Sequence, residues 1–133
     1  MDIGKSIYNI LSNTTAINNL VGTRIFPNVA AQSEVFPFII YDVQNDFPED
    51  TKDGVANLDI TNMMVSAYSD SYAEATKLGN YIRDALDRYS GTNSGVVINT
   101  IVFDGYNDAF DDMSGSDGIY RKSLDFKIRI INT

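Results

Sequence analysis

The stretch 57–91 constrains the fold most, because a long alternating strand runs directly into an amphipathic helix. Period-two spacing places several large apolar side chains on one face of that strand: Leu58, Ile60, Met64 and Tyr68. Asp59 and Thr61 point to the other face. The strand therefore has two chemically different faces and leads straight into the element that can cover one of them.

The helix that follows has signals at both ends. Ser71 followed by Glu74 is a capping box, which predicts a helix start at Ser71. Gly91 stands where a C-terminal cap belongs. Apolar residues recur at three- and four-residue spacing between these ends: Ala75, Leu78, Ile82, Ala85, Leu86 and Tyr89. We therefore predict a helix over 71–89 that packs on a sheet.

Shorter elements precede this unit. Two apolar stripes predict short helices before Gly22: Ile3, Ile7, Ile10 and Leu11 in the first, and Ile17, Leu20 and Val21 in the second. The segment 21–27 indicates an edge strand, because Pro27 cannot donate a hydrogen bond within a central strand. The segment 36–44 predicts the next strand, with Pro37 near its start.

The C-terminal part alternates most clearly. After a small linker at 91–95, the segment 96–103 has β character. In the last strand one face is apolar and the other polar: Tyr120, Leu124, Phe126, Ile128 and Ile130 against Arg121, Ser123, Asp125, Lys127 and Arg129. One face is expected to be core, and the other to be wet or an interface.

A strand, a helix and a second strand in this order are typical of a right-handed crossover, which would make the two strands parallel. The two hairpin tips would then project from opposite ends of the sheet. The elements together predict an α+β fold, with an open, mostly antiparallel β-sheet of four to five strands and helices packed on one face. The length of 133 residues favours a single domain, 1–133.

Two acidic segments are expected to form long hairpin loops. The segment 45–55 carries four carboxylates against Lys52, and 104–118 contains five Asp and no basic residue. Their few aromatic residues are candidate docking contacts. The candidate interface consists of residues from both segments and the cations of the last strand: Asp46, Phe47, Asp50, Asp53, Tyr106, Asp108, Phe110, Asp111, Asp112, Arg121, Lys127 and Arg129.

Composition argues against catalysis. The chain has no Cys and no His, which removes the thiol nucleophile, the usual general base and the common zinc ligands. The segment 104–118 lacks the spacing of a calcium loop, so we predict no metal and no cofactor. The net charge of −8 disfavours non-specific binding to nucleic acid. No apolar run is long enough to predict a transmembrane segment or a secretory signal.

The order of several short motifs resembles the tail completion proteins of long-tailed bacteriophages, also called tail terminators or tail-to-head joining proteins. The motifs occupy 7–11, 21–27, 36–41, 72–75 and 120–126. The resemblance implies a small α+β subunit of a hexameric ring that caps the tail tube and joins the tail to the head connector proteins. It also implies a subunit made in the host cytoplasm and placed at the tail-head junction of the virion, where DNA passes without sequence-specific binding. The family has no catalytic residues to transfer to this chain.

Three alternatives remain at this point. One is a connector-side head completion protein or minor tail protein of the same particle. Another is a bacterial adaptor that binds peptides by strand addition along an exposed edge near Phe36. The third is a small enzyme that uses carboxylates, which the absence of His and Cys disfavours.

Overall fold

A computed structural model of the protein describes residues 3–28, 35–51, 54–111 and 118–131, with the side chains of 46–51, 54–57 and 111 outside the description. The elements in chain order are α1 Ile3–Ser12, α2 Thr15–Val21, β1 Ile25–Pro27, β2 Phe38–Thr51, β3 Gly54–Ser69, α3 Tyr72–Leu86, β4 Gly91–Asn93, β5 Val96–Asp111 and β6 Ile119–Ile131. The chain thus folds as α+β, as expected from the sequence.

The strands form one sheet in the order β1-β2-β3-β6-β5-β4. Only β1 and β2 pair in parallel within the described sheet, so the expectation of a mostly antiparallel sheet is confirmed. The expectation of four to five strands is wrong, because the described sheet has six. The segment expected to be a linker contributes β4, which pairs with the start of β5. As Pro27 indicated, β1 lies at an edge.

The strand register confirms the predicted parallel relation of the two strands that flank α3. Both β3 and β5 pair antiparallel with β6, which lies between them, so β3 and β5 run in the same direction. The β2–β3 hairpin closes beyond the pair Thr51 and Gly54, whereas the β5–β6 hairpin closes beyond Asp111 and Ile119. These two ends of the sheet are opposite, because β6 is antiparallel to β3 along its whole length.

The three helices contact one another and pack on a single face of the sheet. From β3 that face presents Met63, Val65 and Ala67 to the core, beside Phe126 and Leu124 of β6. The alternating residues of β3 singled out in the sequence do share a face, but it is the opposite one. We call this second face, which none of the described helices covers, the open face. Alternation shows which side chains lie together, but not which face the helix covers.

Helix α3 begins as its sequence indicates. Ser71 is the N-cap, and its Oγ accepts a hydrogen bond from the Glu74 amide at 3.4 Å. The reciprocal half of the capping box is replaced by a relay through Ser69. Its Oγ accepts from the Ser71 amide at 3.1 Å and donates to Glu74 Oε1 at 2.9 Å.

The predicted end of α3 at Tyr89, capped by Gly91, is wrong, because the helix stops at Leu86. The chain turns there to meet β5. The Arg88 amide donates to the Ile101 carbonyl at 2.7 Å, and Asp87 Oδ1 accepts from the Phe103 amide at 3.0 Å. These bonds to the sheet replace another helical turn, and Gly91 then belongs to β4.

The two acidic segments are mostly strand, not loop. β2 continues to Thr51, β3 starts at Gly54 and β5 continues to Asp111. Each of the long strands β2 and β5 has two irregularities in its register. In β2 they fall between Val43 and Asn45 and between Glu49 and Thr51, and in β5 between Ile98 and Thr100 and between Phe103 and Gly105. A bulge lets a long ribbon keep pairing while it twists, so polar composition alone did not mark the end of either strand.

Candidate interaction surfaces

Three aromatic side chains meet where the β5–β6 hairpin passes the start of α3, and a fourth, Tyr106, is linked to them through Lys122. The ring centroids of Phe110 and Tyr120 are 4.7 Å apart, and those of Tyr72 and Tyr120 are 5.6 Å apart. Tyr106 lies on the same face of β5, four residues before Phe110. Tyr106, Phe110 and Tyr72 are 59%, 50% and 53% exposed. We call Tyr72, Tyr106, Phe110 and Tyr120 the aromatic cluster.

A polar bridge fixes the position of this cluster. Lys122 Nζ lies 4.7 Å from the Tyr106 ring centroid and 3.6 Å from Asp108 Oδ1. The Tyr72 hydroxyl donates to Asp108 Oδ2 at 3.3 Å. An exposed ion pair of this kind adds little stability, but it limits the orientations of the rings around it. Large exposed rings held in place are typical of protein contact sites.

The open face has an apolar half on β2 and β3. Phe36 stacks on Phe38 with ring centroids 5.4 Å apart, and Phe38 stacks on Tyr68 at 4.9 Å. Ile40 follows on β2, and Ile60 and Met64 lie on β3. These side chains lie on the side of the sheet that the described helices leave uncovered, where Phe38 and Ile40 are nevertheless only 7% and 9% exposed.

The polar half of the open face is β6. Arg121, Lys127 and Arg129 point there, on the same side as Ser123, Asp125 and the partners opposite them on β3. Lys127 and Arg129 are exposed. Arg121 is half-buried, and its Nε is buried without a hydrogen-bond partner among the described residues. The row of cations is therefore not neutralised within the described chain.

Asp42 lies on the apolar half of this face, opposite Met64. Burial raises the pKa of the Asp42 carboxyl above its ordinary value, because desolvation disfavours the charged form. The apolar half of the open face thus carries one partly buried carboxyl.

A two-stranded ribbon extends from the end of the sheet opposite the aromatic cluster. The last described pair of β3 with β6 is Leu58 with Ile131, while β2 and β3 continue together to Thr51 and Gly54. We call the paired residues 48–51 and 54–57 the acidic arm. The sequence of 48–57 contains Glu49, Asp50 and Asp53 against Lys52 alone.

The candidate interface residues from the sequence fall into separate places. Tyr106, Asp108 and Phe110 come together at the aromatic cluster. Arg121, Lys127 and Arg129 lie on the open face, which is the other side of the same hairpin. Asp46, Phe47, Asp50 and Asp111 belong to strands, but their side chains are outside the described set, as are Asp53 and Asp112 altogether.

The sequence did not identify three partners in the aromatic cluster: Tyr72, Tyr120 and Lys122. Tyr120 and Lys122 could have been found from the β5–β6 pairing. If β5 is extended beyond residue 104, they stand opposite Phe110 and Asp108. Tyr72 carried no such signal, since α3 brings it there only in three dimensions. It stands at the first position of that helix.

A groove of about 660 Å³ lies between α1 and the strands β1 and β2. Its described lining is mostly hydrocarbon, with Tyr8, Tyr41 and Val43 on its walls and Lys5 as the charged side chain. In the described ranges no three carboxylates lie close enough together to hold a metal ion. None of the described helices is both long and apolar enough to cross a bilayer.

The fold is thus a small α+β module with an exposed aromatic cluster at one end of a six-stranded sheet. The sequence of residues 5–131 matches the family described as Tail completion protein gp17. The chain belongs to this family of bacteriophage tail structural proteins.

The fold is also similar to a solved protein chain in the virion of a native gene transfer agent particle. The two chains are 19% identical, and the TM-score is 0.71 over 96% of this chain and 92% of the other. At this identity the likeness concerns the fold. No curated protein matches the chain.

Proposed function

We propose that this chain is a ring-forming tail terminator, which caps the finished tail tube and joins the tail to the head connector. The match of residues 5–131 to the tail completion family carries this proposal. The function is structural: the ring closes through contacts between copies, and DNA passes through it without being read. A hexamer is the expected ring, at the tail-head junction.

The arrangement of the sheet supports a joining role. The β2–β3 and β5–β6 hairpins leave opposite ends of the sheet, so one subunit presents a different surface in each direction. The aromatic cluster lies at one of these ends, and the acidic arm at the other. A protein that links the tail tube to the connector needs two such surfaces, facing away from each other.

The peptide-binding alternative has less support from the fold. The edge of β2 nearest Phe36 pairs with β1 through Ile39, Ile40 and Tyr41. Strand addition at that position would have to displace β1. The connector-side alternative shares the same particle and differs only in which partner the chain binds.

The assembly state tests the proposal. Light scattering after size exclusion, across a concentration series and with tail tube protein added, should give the mass of a closed ring in the presence of the tube protein. The free subunit is expected to be smaller, because a ring can close on its template. A strict monomer in the presence of tube protein would refute the ring.

Partner choice separates the tail terminator from the connector-side alternative. Phe110→Ser removes an exposed ring of the aromatic cluster, and Val43→Ser is its control, at an exposed apolar side chain of β2 away from the cluster, at 47% exposure. We expect Phe110→Ser to weaken binding to one of the two partners, tube or connector protein, at least tenfold, with Val43→Ser within twofold of the parent. Binding to connector protein alone, with no tube binding by the parent, would favour the connector-side alternative.

A further inference from the structure

The outer edge of β5 lies beside the aromatic cluster, and its backbone is unpaired over residues 104–110. β4 pairs only with the start of β5, at 96–98. The next stretch of the edge is covered by the segment 87–89, which forms hydrogen bonds with the backbones of Ile101 and Phe103. Beyond Phe103, no element within the described ranges pairs with this edge.

The register with β6 fixes which backbone groups of this edge face outward. Both the amide and the carbonyl of Ile101 bond to the segment after α3, so they point away from its β6 partner, Ile128. Backbone direction alternates along a strand, and β6 pairs with β3 without a register shift, so the even-numbered residues of β6 turn their backbones towards β3. The residues opposite them therefore direct their amides and carbonyls to the outer edge: Tyr106, Asp108 and Phe110.

The side chains at these three positions form a row beside the unpaired backbone. Alternate residues of a strand point to one face, so Tyr106, Asp108 and Phe110 stand together on the face that the helices cover. Both rings are at least half exposed, and the Asp108 side chain is 41% exposed although it contacts Lys122 and Tyr72. An added strand takes its affinity from backbone hydrogen bonds and its specificity from side chains at alternate positions. The edge of β5 offers both.

Proteins ordinarily protect their exposed sheet edges with Pro, Lys, bulges or very short strands. β1, the edge strand on the other side of the sheet, is three residues long and ends in Pro27. The β5 edge has a bulge between Phe103 and Gly105, but the register is regular from there to its end. Residues 104–110 contain no Pro and no Lys, and they span about 24 Å at roughly 3.4 Å per residue. An edge of this kind is a template for pairing with another chain.

The charges of the edge disfavour a second copy of this chain as that partner. Asp104 and Asp108 are both exposed, and residues 104–110 contain no cation. Two such edges paired with each other would bring these carboxylates together, and like charges opposite each other destabilise a strand pair. A segment with Lys or Arg opposite Asp108 would gain instead from the carboxylate and from the neighbouring Tyr106 ring. Apolar side chains on either side of that cation would cover the exposed rings.

We propose that the β5 edge at 104–110 binds one extended segment of the tail tube protein by strand addition. The segment carries a Lys or Arg between two apolar residues at alternate positions, so that the cation meets Asp108 and the apolar side chains pack on Tyr106 and Phe110. This contact rests on the proposed capping role, which makes the tube protein the partner.

A proline at position 108 tests the backbone contact. Asp108→Pro and Asp108→Ala both remove the carboxylate, but only the proline also removes the outward amide. Because that amide is not bonded to β6, the two variants should melt within a few degrees of each other. Asp108→Pro should bind tail tube protein at least tenfold more weakly than Asp108→Ala. Asn107→Pro removes an amide that faces Ser123 of β6, so its lower melting temperature checks the direction of the backbone groups.

Hydrogen exchange of the unmodified chain gives a second readout that depends on no variant. The amides of Tyr106, Asp108 and Phe110 should exchange rapidly in the free subunit and at least tenfold more slowly with tube protein bound. The amides of Asn107 and Ala109, which face β6, should be slow in both states. Unchanged exchange of the three outward amides in the tube complex would overturn strand addition.

Charge reversal tests the chemistry of the added segment. Asp108→Lys should bind tube protein at least threefold more weakly than Asp108→Ala, because two cations would then meet across the strand pair. Asp84→Lys makes the same charge change at an exposed site on α3 and should bind as the parent does. Binding of Asp108→Lys that equals or exceeds that of Asp108→Ala would exclude a cation opposite this position and overturn the proposed segment.

The outcomes separate this contact from the proposed function. A parent chain that binds no tube protein overturns both. If the parent binds tube protein, and Asp108→Pro and Asp108→Ala bind it equally well, strand addition is wrong and the capping role stands. If connector protein slows the three outward amides and tube protein does not, the edge serves the connector and the proposal is wrong.

Discussion

The hydroxyl groups of Ser66 and Ser123 lie 2.9 Å apart, across the central strands β3 and β6 and on the face that the described helices leave uncovered. Both residues are almost fully buried, at 1% and 2% exposure. Short side chains become buried there because longer neighbours, such as Tyr68 and Arg121, lie beside them on the same strands. The two buried hydroxyl groups in the middle of the sheet thus form a hydrogen bond with each other.

This pair predicts strong coupling in a double-mutant cycle. Ser66→Ala or Ser123→Ala alone leaves a buried hydroxyl without its partner and should cost about 1–2 kcal/mol of unfolding free energy. The double variant removes both hydroxyls, so its cost should fall below the sum of the singles by about 0.5–1.5 kcal/mol. Urea unfolding measures all four proteins. Strict additivity would show that the hydroxyls act independently.

Leu86→Asp should abolish cooperative folding. Leu86 is 1% exposed at the end of α3, where a carboxylate would be buried without a partner. The cost of several kcal/mol is comparable with the whole stability of a small domain, about 5–15 kcal/mol. Asn80→Asp places the same side chain at an exposed site of the same helix and should fold normally. A Leu86→Asp melt within a few degrees of the parent would contradict the core assignment.

Gly79 and Lys122 should show compensation. A Cβ at Gly79 would lie 2.8 Å from Lys122 Cδ, so Gly79→Ala must push aside a side chain that contacts Asp108 and Tyr106. In a Lys122→Ala background the obstacle is absent, and Gly79→Ala should stabilise the protein by about 0.5–1 kcal/mol through helix propensity. In the parent the gain should be smaller or reversed. Chemical denaturation of the four variants gives the comparison, and equal gains in both backgrounds would contradict the contact.

Asp42 should make stability depend on pH in a defined direction. Because burial raises its pKa in the folded state, the native chain holds the proton more tightly than the unfolded chain does. This group's contribution is therefore most favourable below the unfolded value of 3.8 and is lost as pH rises through the folded pKa. Asp42→Asn should be more stable than the parent at pH 7, with the difference shrinking towards pH 3.8. The difference in urea midpoint across pH 4 to 7 measures it, and a constant difference would contradict the assignment.

Much of the fold could be predicted from local patterns. The spacing of Leu78 and Ile82, the Ser71 cap and the clean alternation of β6 each depend on a periodicity or a turn residue that a linear reading detects. Pro27 indicated an edge for a chemical reason, the missing N–H. The strand, helix and strand order indicated the parallel relation of β3 and β5, because a helix of this length can carry the chain back along the sheet before the next strand begins.

The candidate site was predictable only in part, because some of its residues are brought together by strand pairing and helix packing and not by local sequence pattern. Tyr106, Asp108 and Phe110 were identified as contacts, yet their partners Tyr120 and Lys122 depended on a strand that was taken for a loop. The composition of 104–118 is polar, but the hydrogen bonds between strands are made by backbone groups and do not depend on side-chain polarity. Tyr72 reaches the cluster only through the packing of α3 on the sheet.

The sequence alone determined which residues share a face, where α3 starts and which strand lies at an edge. These properties follow from geometry within a few residues. Only the tertiary structure decided which face of β3 the helices cover, where α3 ends and that Ser66 meets Ser123. Each of these features depends on residues far apart in the chain. The core face is the one on which Met63, Val65 and Phe126 pack against α3. The end of α3 is set by hydrogen bonds between the residues after Leu86 and β5.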